Sequence, residues 1–154
     1  MRIRFDRTLP LPAATTARLV DSPAAFDYLM FPLLRLRPLD AAGPRLRFEP
    51  RPQRLAVRLL GVLPVGVQTL DPSWPESARP EAGEHELLDT GGNDLTRSYR
   101  HSIRVEPGAA GWSRCVDETE LDAGLLTPLV RFSFWLVTWH VQRRWDRLVR
   151  LVSV

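Results

Sequence analysis

Hydrophobic and polar residues alternate along several short segments of the chain, which is the pattern of half-buried β-strands. In residues 2–8, for example, Ile3 and Phe5 alternate with charged residues. The same pattern predicts further strands at 45–49, 54–60, 66–70, 84–90, 96–106 and 112–121. Two short helices are predicted at 12–20 and 24–29, where a proline stands at or just before the first helical turn.

The last thirty residues, 125–154, have a different period and predict one long helix that begins at Thr127 and Pro128. Thr127 and Pro128 supply an N-cap and a first helical residue, and no glycine or proline follows them. Apolar residues then recur at steps of three and four and form one continuous stripe. The stripe consists of Val130, Phe134, Val137, Val141, Trp145, Leu148 and Val152. A helix of this span is roughly 35 Å long, and its apolar stripe should pack on a sheet because the preceding segments are strand-like.

These elements predict an α+β fold in one domain, 1–154. A curved antiparallel sheet of about six to seven strands needs cover on one face, which the long C-terminal helix supplies while the two short helices close one end. A curved sheet that grips a helix leaves room for a ligand cavity between them. The proline-rich segment 71–83 is expected to be a loop, either a mobile flap or a long hairpin connection.

A hairpin centred on Ala109 has the clearest alternation in the chain, and its register predicts a polar pair. In that register His101 faces Asp117 across the two strands. The face that holds this pair is otherwise mostly apolar and is predicted to point inwards. Its members are Tyr99, His101, Ile103, Val105, Cys115, Asp117, Thr119 and Leu121.

Two interpretations of this pair are open. In the functional one, Asp117 orients His101, which acts as a general base or binds a polar group of a ligand. In the structural one, the two side chains satisfy each other's hydrogen bonding inside the fold. Cys115 is interpreted as a buried packing thiol.

The composition excludes several classes of protein. Hydrophobic residues make up 44% of the 154 residues and charged residues 25%, as in an ordinary globular protein. All 21 basic residues are arginine, but the net charge is only +3. Because the arginines alternate with apolar residues or lie near acids, they indicate a solvated surface and not a nucleic-acid footprint.

Metal, cofactor and membrane signals are also missing from the sequence. One cysteine and three scattered histidines give no metal-ligand spacing, and no glycine-rich phosphate loop is present, so neither a metal nor a cofactor is expected. The first residues do not have the pattern of a signal peptide. Residues 125–141 are too short and too polar to cross a bilayer. The chain is therefore expected to be cytoplasmic, without a transmembrane segment.

Three segments carry a resemblance to a known superfamily. They are RIRFDRTLPLP, HELLDTGGNDLTRSYRHSIRVEPG, and CVDETELDAGLLTPLV leading into HVQRRW. The arrangement resembles the helix-grip fold of the START-related, pollen-allergen-like superfamily, often called SRPBCC, which includes lipid carriers and polyketide cyclases. The last two segments are similar to bacterial members described as polyketide-cyclase-like or uncharacterised. The resemblance covers essentially the whole chain and implies a shared cavity, without a shared catalytic motif.

The resemblance and the residue pattern together favour binding of a hydrophobic small molecule or lipid between sheet and helix. The predicted wall consists of Tyr99, His101, Ile103, Cys115, Asp117 and Thr119 from the sheet, with Phe132, Trp135 and Trp139 from the helix. One alternative is an enzyme of polyketide cyclase or dehydratase type that uses His101 and Asp117. Another is an interaction module that forms a homodimer through its helix and binds no ligand.

The aromatic residues of the long helix cover more of its circumference than one buried face requires. Three explanations remain open: the additional residues line the cavity, form a dimer surface, or rest on a lipid interface.

Overall fold

The computed structural model of the chain describes residues 1–39, 47–75, 83–109 and 111–152. Its elements are β1 (Arg2–Leu9), α1 (Ala13–Val20), α2 (Pro23–Met30), β2 (Leu34–Pro38), β3 (Gln53–Leu59), β4 (Leu63–Leu70), β5 (Pro72–Ser73), β6 (His85–Asp89), β7 (Gly92–Asn93), β8 (Ser98–Pro107), β9 (Ser113–Asp122) and α3 (Thr127–Val152). A short 3-10 helix, Gly124–Leu126, leads into α3. The order confirms the predicted α+β class, with two short helices and one long C-terminal helix.

One predicted strand needs correction. Of the strand expected at 45–49, residues 47–49 are described and are not in a strand, and the other two lie outside the described residues. The backbone N–H of Phe48 instead donates to the carbonyl of Asp21, 3.0 Å away, at the end of α1. Contact with a helix end therefore replaces pairing with a neighbouring strand.

The strands pair in the orders β1-β9-β8-β6-β5 and β2-β3-β4-β7, with every pair antiparallel. The two sheets join because β4 runs directly into β5, and β6 runs into β7 after a short turn. These four segments form one long hairpin that bends where it passes from one sheet to the other. The result is the predicted curved antiparallel sheet. The segment 71–83, predicted as a loop, includes β5, and its residues 76–82 lie outside the described part of the chain.

A carboxylate and a glycine hold this bend. Oδ1 of Asp89 accepts hydrogen bonds from the backbone N–H groups of Asp71, at 2.7 Å, and Gly91, at 2.9 Å. Gly91 lies so close to β4 that a Cβ atom on it would stand 2.0 Å from the carbonyl oxygen of Thr69. A larger residue would push the strands apart, so Gly91 determines how tightly the sheet bends.

Two hydrophobic clusters lie beneath α3. The first joins the C-terminal half of α3 to α1, α2 and the first sheet. Its buried members are Leu9, Leu11, Val20, Ala25, Leu29, Leu87, Val105, Cys115, Val141, Trp145, Leu148 and Val149. The second is smaller and joins the N-terminal half of the helix to the ends of β8 and β9. It contains Leu121, Ala123 and Val130, with Met1, Tyr99 and Phe134 packed against them.

α3 follows the predicted stripe up to Leu148 but not to its end. Val152 is 42% exposed and its neighbour Leu151 is 64% exposed, while Val149 is buried. The last turn thus extends past the first cluster, and burial ends one turn earlier than the sequence pattern predicts. Within the described ranges, no helix is long and apolar enough to cross a membrane.

Polar contacts tether α3 from both sides. Arg7 on β1 donates to the carbonyl of Gln142 at 2.6 Å and forms an ion pair with Asp146 at 2.7 Å. On the other side, Nε of Arg144 donates to the carbonyl of Tyr28 in α2 at 2.8 Å. The helix is therefore fixed in rotation, which determines the residues it presents to the sheet and to solvent.

Replacement of Gly91 by alanine is expected to lower the free energy of unfolding by about 3 kcal/mol, because the methyl group would overlap the backbone of Thr69. The backbone of Gly91 is not in the left-handed region, so the loss is steric. Gly111→Ala is the matched control, since Gly111 has a φ of +80° but nothing within 4 Å of an added Cβ. We expect that control to lose about 1 kcal/mol. Urea denaturation followed by circular dichroism measures both, and equal losses would contradict the contact with Thr69.

Candidate functional site

The hairpin of β8 and β9 pairs two residues away from the predicted register. Thr119 lies opposite His101, in the place predicted for Asp117. The connecting loop is displaced because the N–H of Gly108 donates to the carbonyl of Trp112 at 2.9 Å and closes the turn later in the chain. Since side chains alternate with a period of two, this shift leaves every residue on its predicted face.

His101 and Asp117 are nevertheless in contact, as diagonal neighbours on the inner face. Nε2 of His101 lies 2.9 Å from Oδ1 of Asp117. The amide of Gln142, from α3, donates to the other carboxylate oxygen at 3.4 Å. The His101 side chain is 21% exposed and that of Asp117 is 12% exposed. The pair therefore lies under the middle of the helix with a partial opening to solvent.

A second carboxylate lies on the other side of His101. Asp89 on β6 is its direct cross-strand partner and is only 6% exposed. While Oδ1 of Asp89 holds the bend of the sheet, its Oδ2 is buried without a hydrogen-bond partner among the described residues. A buried, unpaired carboxylate oxygen is costly, so this atom is a candidate ligand acceptor. Neither its neighbours in sequence nor its spacing to His101 marks it, and strand pairing alone brings it there.

Burial and charge shift the pKa values of this group. Burial alone would lower the pKa of His101, but the charge of Asp117, the hydrogen bond to it and the charge of Asp89 raise that pKa above its usual value. The pKa of Asp89 is raised by burial, despite the two backbone hydrogen bonds that it accepts. Burial, followed by the charges of both carboxylates, raises the pKa of Tyr99 well above normal. The histidine is thus held as a cation more readily than in water.

The other predicted sheet residues surround this pair in different ways. The ring of Tyr99 lies 6.4 Å from that of His101 and 5.8 Å from that of Phe134. Ile103 is partly buried against the first cluster. Thr119 is 4% exposed, and Cys115 is 4% exposed within the first cluster. Burial raises the pKa of the Cys115 thiol to about 12, which fits the prediction of a packing residue with no reactive role.

The aromatic residues of α3 that were predicted to line the cavity do not face the sheet, so this prediction is wrong. Phe132 is 59% exposed, Trp135 45% and Trp139 40%. At about 100° per residue they lie roughly opposite the buried stripe of α3. They stack on one another instead, with ring centroids 6.1 and 6.4 Å apart. Phe134 and Val137 take the inward positions, because the stripe that packs on the sheet passes through them.

An apolar surface that sequence reasoning did not assign to the site lies on the second sheet. Its members share one face of β2 and β3. They are Leu34, Leu36, Leu55, Val57 and Leu59. The opposite face carries Arg35, Arg37, Arg54 and Arg58, all exposed, and is therefore the outer one. The alternation of leucine and arginine in the sequence was the available signal.

Most of this apolar surface is incompletely covered. Leu55 is 7% exposed, but Leu34, Leu36, Val57 and Leu59 are only partly buried. None of them belongs to either of the hydrophobic clusters found among the described residues. Among the described residues, the second sheet thus presents an apolar face of mostly partly buried side chains that neither hydrophobic cluster includes.

A second histidine–aspartate pair lies at the other end of β6 and was also missed. Nε2 of His85 and the indole N–H of Trp74 each lie 2.9 Å from Oδ1 of Asp21, at the C-terminus of α1. The pair borders an open cleft of about 790 Å³ that also touches Arg18 and Phe48. Long sequence separation hid it, since only folding brings α1, β5 and β6 together.

Many solved structures share this architecture at low sequence identity. A START superfamily protein from Mycobacterium smegmatis superposes with a TM-score of 0.68 at 14% identity, covering 98% of each chain. Norcoclaurine synthase from Thalictrum flavum, in complex with dopamine and hydroxybenzaldehyde, gives 0.64 at 13% identity, over 99% of this chain and 86% of that one. A Thermus thermophilus protein gives 0.61 at 13% identity, covering 100% of both chains.

No protein-family model and no curated protein sequence matches the chain. The structural neighbours therefore define its class by fold. The chain shares its helix-grip fold with a START superfamily protein and with norcoclaurine synthase, and this confirms the predicted fold. Its neighbours include at least one enzyme as well as START proteins, so the fold is compatible with ligand binding and fixes no single activity.

Asp117→Asn is expected to lower the pKa of His101, because it removes the charge that most strongly raises that pKa. The folded pKa of His101 lies above its unfolded value of about 6.5. The pair therefore stabilises the fold fully below that pH and loses this contribution as the pH rises through the folded pKa. Histidine ring titration by NMR measures the pKa, and urea denaturation at acid and alkaline pH measures the loss.

The matched control is Asp21→Asn, which breaks the other histidine–aspartate pair of the same length and should leave the His101 titration unchanged. An unaltered His101 titration in Asp117→Asn would contradict the assigned contact.

Proposed function

We propose that the chain binds a small, largely apolar molecule between the apolar face of the second sheet and α3, with its polar end held at Asp89 and His101. Two features of the bent sheet support this proposal, because each offers a ligand contacts that the chain itself does not make. One is the partly buried apolar face of β2 and β3. The other is Oδ2 of Asp89, which is buried and has no hydrogen-bond partner in the described part of the chain.

The apolar surface supplies the binding energy. Burial of apolar area is worth about 25 cal/mol per Å², and the part of these aliphatic side chains that is still exposed is available to a ligand. Leu36 and Val57 are direct cross-strand partners at the middle of this face. On the helix side, Phe134 and Val137 are partly buried against the two clusters and are the apolar residues of α3 that the proposal assigns to the ligand.

The polar group determines which end of the ligand enters. Oδ2 of Asp89 can accept a hydrogen bond, and Tyr99 and His101 border the same region. A hydroxyl or amine would satisfy that oxygen, whereas a carboxylate would repel the charges of Asp89 and Asp117. The proposed ligand class is therefore apolar or aromatic molecules that end in a hydrogen-bond donor. Norcoclaurine synthase, which has the same fold, was solved in complex with dopamine and hydroxybenzaldehyde, and this supports a small molecule as the ligand.

A second candidate function is acid–base catalysis of polyketide cyclase or dehydratase type. One contact favours it: Asp117 fixes the ring orientation of His101 on the inner face, as a positioned general base requires. Molecules that copurify with the chain should then lose water during incubation with the wild type and stay unchanged with His101→Gln. Mass spectrometry detects the difference, and equal masses in both samples would exclude this chemistry for those molecules.

Val57→Gln is expected to weaken binding of a nitrobenzoxadiazole-labelled long-chain alcohol at least about tenfold, because it places an amide in the apolar lining. The matched control is Ala56→Gln, one residue earlier on the arginine-bearing face of β3. That variant should bind like the wild type. Fluorescence titration measures both affinities, and the corresponding labelled carboxylic acid should bind more weakly than the alcohol.

Binding should also raise the thermal midpoint of the wild type. At a ligand concentration of about 100 Kd, linkage predicts roughly 2.7 kcal/mol of stabilisation. Equal affinity in Val57→Gln and Ala56→Gln would place the ligand elsewhere, and no measurable binding of alcohol or acid would contradict the proposal.

A further inference from the structure

A continuous row of large apolar side chains lies exposed along the 3-10 helix and the first half of α3. The row consists of Leu125 at 98% exposure, Leu126 at 47%, Leu129 at 64%, Phe132 at 59%, Trp135 at 45% and Trp139 at 40%. We call these residues the aromatic row. A contiguous apolar patch of this kind on a folded surface marks an interaction site more often than a packing defect. The ligand site proposed between the second sheet and α3 does not include the aromatic row.

The aromatic row is ordered before any partner is present. Phe132 stacks on Trp135 with ring planes 27° apart, and Trp135 stacks on Trp139 with planes 20° apart. The guanidinium of Arg143 lies 4.5 Å from the ring centroid of Trp139 and extends the row. From Phe132 to Arg143 the helix advances about 16 Å. The row is thus a straight, preformed strip that lies along the helix axis.

Positive charges dominate beside the aromatic rings, although Asp122 lies at the start of the row, where its carboxylate accepts hydrogen bonds from the N–H of Gly124 and the hydroxyl of Thr127. No aspartate or glutamate occurs between Asp122 and Asp146 in the sequence, while Arg131 and Arg143 are both exposed on α3 beside the row. Asp146 already forms an ion pair with Arg7. A partner that covers the strip therefore meets aromatic rings and cations, and needs apolar and anionic groups of its own.

A second copy of this chain does not supply those groups. In an isologous contact the same surface meets itself, so Arg131 and Arg143 would meet the same rings and cations, and the carboxylate of Asp122 is already hydrogen-bonded to Gly124 and Thr127. An anionic lipid surface does supply them, since its acyl boundary accepts tryptophan and phenylalanine and its phosphates accept arginine. The composition of α3, with arginine beside tryptophan, phenylalanine and leucine, is that of helices lying in the plane of a membrane interface.

We propose that the aromatic row docks the protein on the interface of an anionic membrane, with α3 lying flat on the surface. The rings enter the headgroup region, and Arg131 and Arg143 pair with lipid phosphates. The helix keeps its opposite side on the sheet, so docking requires no unfolding. This proposal concerns the outside of α3 and does not rest on the function proposed for the ligand site.

Co-sedimentation with vesicles tests the proposal directly. The wild type should bind vesicles of equal parts phosphatidylglycerol and phosphatidylcholine, with a blue shift of tryptophan fluorescence. Binding should weaken at high ionic strength and be much weaker on phosphatidylcholine alone. Trp135→Ser with Trp139→Ser should reduce the partition coefficient on the anionic vesicles at least about tenfold, because two interfacial anchors are lost.

Trp112→Ser is the matched control, since Trp112 is 46% exposed but lies in the loop between β8 and β9. It should bind like the wild type. Arg131→Gln with Arg143→Gln should remove the preference for anionic vesicles and retain weak binding to neutral ones. Circular dichroism of each variant verifies that the fold is intact.

Three results would overturn the proposal: no binding of the wild type to anionic vesicles, an equal loss in Trp112→Ser, or a dimer in sedimentation that dissociates in the Trp135 and Trp139 variant. The last outcome would assign the aromatic row to self-association.

Discussion

The close approach of two strands at Gly91 is the constraint on which the rest of the structure depends. The hairpin can pass from one sheet to the other only because Gly91 has no side chain and because Asp89 accepts both backbone N–H groups at the bend. The bend joins the sheet that carries the apolar face of β2 and β3 to the sheet on which α3 packs. At the bend, Oδ1 of Asp89 accepts both backbone hydrogen bonds, while Oδ2 is buried without a hydrogen-bond partner among the described residues. Asp89 thus links the shape of the sheet to the chemistry of the proposed ligand site.

The core beneath α3 is divided, and the division has physical consequences. The two hydrophobic clusters lie under the two halves of the helix, and His101 and Asp117 lie between them along β8 and β9. Polar groups there cost stability unless they are paired. The histidine and Asp117 pair with each other, and the arginine contacts at Arg7 and Arg144 hold the helix over them. Because α3 packs firmly at one end and covers polar groups near its middle, we expect a ligand to enter beneath the middle of the helix.

Local patterns predicted the fold well, and long-range geometry limited the prediction of the site. Strand alternation and the stripe of α3 lie within the sequence, so the architecture and the inner face of β8 and β9 could be derived from it. The contact between His101 and Asp117 was predicted with the wrong register, since a shift of two residues preserves faces and still leaves diagonal neighbours in reach. The position of Asp89 beside His101 could not be derived from the sequence, because it depends on which strand pairs with β8. The outward position of Phe132, Trp135 and Trp139 follows from the helical period, since they lie roughly opposite the apolar stripe, and the prediction that they line the cavity did not use this.

The central claim is that a ligand occupies the apolar face of the second sheet with its polar end at Asp89. Its most direct test is isotope-edited NMR on protein with labelled leucine and valine methyl groups, saturated with a long-chain alcohol. The account predicts nuclear Overhauser effects from the alkyl chain to the methyl groups of Leu36 and Val57, and from the carbinol protons to the region of Asp89. Effects confined to the exposed leucines of the aromatic row, or none to either sheet residue, would contradict it.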